Sequence, residues 1–199
     1  MPRIFALLTT LLLLTACGAQ TLEGPPVPLG DFKLGHNVVV ASKMQMGPVS
    51  RAATEEEWTA SMTKAIGDRF GRYDGEQLYH LGVSVEAFML APPGVPVVYT
   101  PKSVLIVKAT LWDDTDGRKL NEVAHQIAVL ETTSGESVLV GSGWGRNKQK
   151  QLDGLSFNAA KAIETWLLEG QEKYGWFGPD ERVMPAEDET NEPVLQSPS

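Results

Sequence analysis

One cysteine, Cys17, stands in the whole chain, so no disulfide can close within it. The three histidines, His36, His80 and His125, fall in separate stretches. No H-E-x-x-H pair and no G-x-S-x-G serine occurs, so the common zinc-protease and hydrolase motifs are absent. Positive charge is scarce: 17 Lys and Arg face 25 Asp and Glu, a net charge of −8. That balance argues against a nucleic-acid partner. No apolar run reaches the roughly 20 residues that a membrane-crossing helix needs.

What is present begins at the N-terminus. Arg3 is followed by an apolar run from Ile4 to Leu14, then by Leu14-Thr15-Ala16-Cys17. A basic start, a short apolar stretch and small residues before a cut make a secretory signal peptide. With Cys directly after the small residues, the stretch resembles the lipobox of bacterial lipoproteins. The resemblance implies that residues 1–16 are removed, that Cys17 becomes a diacylglyceryl cysteine, and that its new amino group is acylated, commonly with palmitate. Two or more chains anchor a protein stably where one holds it only marginally. Without acylation Cys17 would be an unpaired thiol in an oxidising compartment. Gly18, where an Asp resembles a retention signal for the inner membrane, implies the periplasmic face of the Gram-negative outer membrane.

Residues 18–30 carry Gly and Pro without periodicity and read as a flexible tether. At ~3.1 Å per residue, such a tether reaches about 40 Å. His36 to Met46, with Val38, Val39 and Val40 in a row, reads as a strand buried on both faces. Thr54 to Gly71 reads as a helix. Thr54 and Glu57 have the spacing of a capping box, Glu55 to Glu57 suit the positive helix start, and Trp58, Met62, Ala65, Ile66 and Phe70 form one apolar stripe.

Tyr79 to Ala91 alternates and reads as a half-buried strand, as does Ser103 to Asp113. Asp116-Gly117 marks a tight turn. Asp113, Asp114 and Asp116 do not fit a calcium loop, because position 1 counted back from Gly117 would be Trp112. Glu122 to Glu131 reads as a further strand. Its inner face is open between Val123/Ile127/Val129 and Ala124/Ala128/Leu130. Glu136 to Trp144 reads as a fifth. The Gly141-x-Gly143-x-Gly145 run after it matches neither the P-loop nor the dinucleotide fingerprint. Lys150 to Gly170 is the second helix, with Leu152, Leu155, Ala159, Ala162, Ile163, Trp166 and Leu167 as its stripe. Residues 178–199 hold six acidic side chains against Arg182 alone and read as a disordered tail.

Residues 92–101 break the pattern. Pro92, Pro93, Pro96 and Pro101 exclude a central strand, yet Val95, Val97, Val98 and Tyr99 give the segment apolar area. One reading is a stiff loop that binds a partner through Val95, Val97, Val98 and Tyr99. The other folds Val97 and Tyr99 back over the sheet or against Trp112.

The expected organisation is therefore a signal peptide (1–16), a lipidated Cys and tether (17–30), one α+β domain (31–177) and an acidic tail (178–199). The domain should be a two-layer sandwich: a mostly antiparallel five-stranded sheet, in the chain order β-α-β-β-β-β-α, with both helices on one face. The element order and the stretches Val104 to Leu120 and Leu152 to Leu167 resemble the small envelope lipoproteins that assist transport and export systems. That resemblance implies a non-catalytic binding or assembly module, held to the membrane by lipid on Cys17 and working with an envelope protein. The alternative is an envelope enzyme or a carrier of a small ligand or lipid. No catalytic residue, metal ligand or cofactor can be named. An exposed apolar patch favours the module. A closed cavity with convergent polar groups favours the alternative.

Overall fold

The computed structural model describes residues 22, 24–92, 102–131 and 148–178. Strand β1 spans Lys33–Val40 and β2 Gln45–Met46; helix α1 spans Glu55–Phe70; strands β3 (Leu78–Met89), β4 (Val104–Asp113), β5 (Arg118–Lys119) and β6 (His125–Leu130) follow; helix α2 spans Lys148–Tyr174. With β1 and β2 as one interrupted strand, the order is the expected β-α-β-β-β-β-α in an α+β fold. The six strands form one open sheet, β1-β3-β4-β5, with β2 beside β3 and β6 beside β4. β3 pairs antiparallel with β4, and β4 with β5 and β6. β1 runs parallel to β3, which a crossover through α1 permits.

Helix α1 forms where its local signals place it. The Thr54 hydroxyl accepts from the Glu57 amide at 3.2 Å, and the Glu57 carboxylate accepts from the Thr54 amide at 2.9 Å. Trp58, Met62, Ile66 and Phe70 point inward and are fully buried. Burying a large apolar side chain contributes about 1.5–3 kcal/mol, so this stripe stabilises the helix more than its cap does.

Both helices lie on the same sheet face and pack on each other. Leu81, Val83 and Val85 of β3 and Leu105, Val107, Ala109 and Leu111 of β4 point into that layer. In β6 the inward residues are Ile127 and Val129, while Leu130 is exposed and Val123 lies outside the strand. The open choice of face is thereby decided by the Ile127 set.

Three expectations are corrected. The stretch His36 to Met46 is not one continuous strand, because a turn closed by the Met44 amide on the Ala41 carbonyl splits it. Nor is it buried on both faces: Val39 is 8% exposed, but Val38 is 56% and Val40 48%, because among the described residues β1 is an edge strand with helices on one side only. Helix α2 runs past Gly170, whose missing side chain leaves room for the Trp176 ring. Finally, the far part of the expected tether is packed on the domain. Leu29 and Phe32 are core residues, Val27 packs against them, and Arg72 Nη1 donates to the Gly24 carbonyl at 3.1 Å. The stretch expected as a tether is therefore held to the domain from Gly24 on.

The expected strand 136–144, the signal peptide, Cys17, the partner-loop residues Val95, Val97, Val98 and Tyr99, and tail residues 179–199 lie outside the described residues.

Candidate functional site

The two ends of the sheet are held by different chemistry. At one end a chain of hydrogen bonds joins the N-terminal segment, the start of β3, the β4–β5 turn and the residues after α2. Asp31 N donates to the Phe177 carbonyl at 3.1 Å, and the Asp31 carboxylate accepts from the amides of Glu76 and Gln77. Gln77 Nε2 donates to Asp113 and Thr115, each at 3.0 Å. The Asp113 carboxylate also accepts from the amides of Thr115 and Asp116, which makes it the organiser of the turn. Gly117 takes a φ of +60°, which its lack of a Cβ allows.

At the other end a buried polar network ties Arg51, Ala91, Ser103, Glu131 and Gln151. Ser103 Oγ donates to Glu131 at 2.8 Å and accepts from the Ala91 amide at 3.0 Å. Gln151 Nε2 donates to the Ala91 carbonyl at 3.1 Å, and Arg51 Nη1 donates to Gln151 Oε1 at 3.0 Å. Ser103 is fully buried with its oxygen engaged on both sides, so it is a fastening rather than a nucleophile. These residues are the roots of the segments 93–101 and 132–147, so both leave the sheet at this end. Trp112, the alternative neighbour considered for Tyr99, lies at the opposite end of β4.

An open cleft of about 650 Å³ lies beside the β4–β5 turn, between β6 and the end of α2. Its walls are aromatic: the His125 ring stacks on Trp166 at 4.8 Å, Trp166 meets Trp176 edge-on at 5.4 Å, and Tyr174 stacks on Trp176 at 5.7 Å. Its polar groups are largely spent on the fold. Asn121 accepts from the Leu111 amide and donates to the Ala109 and Val123 carbonyls. Asp113 holds the turn, and Asp116 pairs with Arg118 at 3.0 Å. His125 does not meet His80; His80 lies against His36 and Asp114. Among the described residues no group of three His, Cys, Asp or Glu side chains could hold a metal ion.

The second surface is the sheet face that no helix covers among the described residues. Register places Val38 beside Gly82, Val40 beside Ser84, Ile106 beside Ala128 and Val104 beside Leu130 on that face. Leu130 is 57% exposed. An ion pair, Lys108 Nζ to Glu86 at 3.1 Å, crosses the middle of the face. A hydrogen bond from Ser84, then the Lys108 ammonium, holds the Glu86 carboxyl below its ordinary range. This uncovered face was not singled out from the sequence, because alternation says that a strand has two faces but not which faces are covered.

The ionic centre of the helix layer is structural. Arg69 Nη1 donates to Glu164 at 2.5 Å, Tyr73 donates to the same carboxylate at 2.9 Å, and Arg72 lies 3.8 Å from it. The Arg69 guanidinium also covers the Phe157 ring. These groups join the end of α1 to the middle of α2.

No protein-family model and no curated protein matches the chain. Solved structures that the chain resembles include a DUF330 protein from Xanthomonas campestris, 14% identical, covering 76% of this chain and 94% of its own, with a TM-score of 0.40. A PelC dodecamer from Paraburkholderia phytofirmans is 14% identical over 71% of this chain and 92% of its own, with a TM-score of 0.35. A minor lipoprotein from Acinetobacter baumannii is 14% identical over 65% and 92%, with a TM-score of 0.26. At these scores the likeness says nothing about partner or activity.

Proposed function

We propose that this chain is a bacterial lipoprotein, anchored through Cys17, whose domain serves as a non-catalytic binding or assembly module of an envelope transport or export system. The observation that carries the module reading is the sheet face opposite α1 and α2, where Val38, Val40 and Leu130 are each about half exposed. Exposed apolar side chains on that face suit a protein contact. The cleft supports the carrier or enzyme alternative less well, because it is open and Asn121 and Asp113 are committed to neighbouring backbone. The lipobox supports the anchor and, with Gly18, the periplasmic face of the outer membrane. Val95, Val97, Val98 and Tyr99 are proposed as a second contact.

A photo-crosslinking residue at Val40 or Ala128, in intact cells, should capture a defined envelope protein. The same residue at Lys161, on the helix side, should not. Equal capture from both positions, or none from the sheet face, overturns the module reading. Separately, Cys17→Ala should block processing and release the protein from membranes.

A further inference from the structure

The two ends of the sheet differ in how the chain is held there and in the side chains they expose. We infer that the domain stands end-on on the bilayer, with the β4–β5 turn and the end of α2 against the lipid headgroups. The inference rests on the proposed anchoring through Cys17.

The first argument is chain length. Gly24 is fixed to the domain by Arg72, just beyond the C-terminal end of α1. Six residues lie between Cys17 and Gly24. Even fully extended, they span at most about 25 Å. β4 has ten residues and α2 has 27. The sheet is therefore about 33 Å long and α2 about 40 Å. Lipid on Cys17 is tied to the end that holds Arg72, Asp31 and Phe177. The roots at Ala91, Ser103 and Glu131 lie a full sheet length away.

The second argument is the chemistry of the tied end. Trp112 is 39% exposed and Tyr174 63%, and both lie at this end of the sheet and helix. Each carries an ammonium over its ring: Lys119 at 5.3 Å from the Trp112 centroid and Lys173 at 5.0 Å from that of Tyr174. Exposed Trp and Tyr beside Lys are the side chains that settle at the headgroup level, where a ring meets acyl-chain ends and an ammonium meets phosphate. Asp114 and Asp116 stand beside Arg118 and Lys119 in the sequence, so charge of both signs is present. The contact therefore depends on the tether and the rings rather than on anionic lipid. With this end on the lipid, Ala91, Ser103 and Glu131 lie at the end of the sheet away from the membrane.

The test uses the full acylated protein in phosphatidylethanolamine–phosphatidylglycerol vesicles with nitroxide-labelled headgroups. Acylation occupies Cys17, so an introduced cysteine is the one reactive thiol for a fluorophore. Asp116→Cys should lose fluorescence to the nitroxide, while Val49→Cys and Val40→Cys should keep theirs. Adding Trp112→Ser and Tyr174→Ser, both at exposed positions, should restore the Asp116→Cys signal while the protein still floats with vesicles. Quenching at Val40→Cys means a side-on pose and overturns the inference, as does quenching at Val49→Cys or none at Asp116→Cys. A signal at Asp116→Cys that ignores the two serines overturns the role of the rings. Failure to float at all overturns the anchoring, and the inference with it.

Discussion

His80 and His36 are locked to each other by backbone: His80 Nδ1 accepts the His36 amide hydrogen at 2.8 Å. An accepting Nδ1 carries no proton, so the hydrogen of neutral His80 sits on Nε2, which lies 2.8 Å from Asp114. The pair fastens β1 to the β4–β5 turn where the register of β1 shifts between Leu34 and Asn37.

This fixes a tautomer that NMR can read. Long-range nitrogen correlations at neutral pH should show His80 as the Nε2–H form. A dominant Nδ1–H form would contradict the bond.

Arg69 and Glu164 form an ion pair with side chains 7% and 8% exposed. Glu164→Ala should destabilise the domain by about 3–5 kcal/mol, because it strands a buried guanidinium. Replacing both partners, with Arg69→Met and Glu164→Leu, should recover much of that loss. Urea unfolding of the three variants is the measurement. A double variant no better than Glu164→Ala would show that the pair contributes more than mutual compensation.

Two groups set opposite pH limits. The Lys148 ammonium, then the Thr54 amide, lowers the Glu57 carboxyl below its usual value of 4.5. Stability from that contact is full above the unfolded value and is lost as pH falls through the lower folded one. Burial, then the Asp113 charge, pushes the Tyr79 hydroxyl up to about 12 from 10.0. Its contribution is full below pH 10.0 and disappears as pH rises to about 12. Thermal midpoints across pH should decline on both sides. Glu57→Gln should flatten the acid limb and Tyr79→Phe the alkaline one.

The residues that follow α2 are fastened to the domain up to Gly178. Phe177 is buried, its amide donates to Gln171 Oε1 at 2.8 Å, and Gln171 Nε2 donates to the Gly178 carbonyl at 2.8 Å. Truncation after Gly178 should leave the thermal midpoint nearly unchanged. Truncation after Tyr174, which removes Trp176 and Phe177, should lower stability by about 3 kcal/mol or more. A large drop from the shorter deletion would show that the acidic tail packs on the domain.

The sequence by itself determined what depends on neighbours within a few residues. Thr54 and Glu57 mark the start of α1 because a capping box closes over three residues. Leu81, Val83 and Val85 mark one face of β3 because side chains alternate. Asp116-Gly117 marks the turn because only local backbone must bend. Tertiary structure alone decided the rest. Three valines in a row could not say that β1 would be an edge strand, since that depends on what pairs with its other side. The parallel pairing of β1 with β3 needs the whole of α1 between them. The Pro-containing stretch before Asp31 could not announce Leu29 as core, because its pocket is built by residues elsewhere in the chain. The Arg69–Glu164 pair joins side chains 95 positions apart, and His80 finds the His36 amide 44 positions away. Such contacts form only after helix packing and strand register are set, and no short-range pattern encodes them.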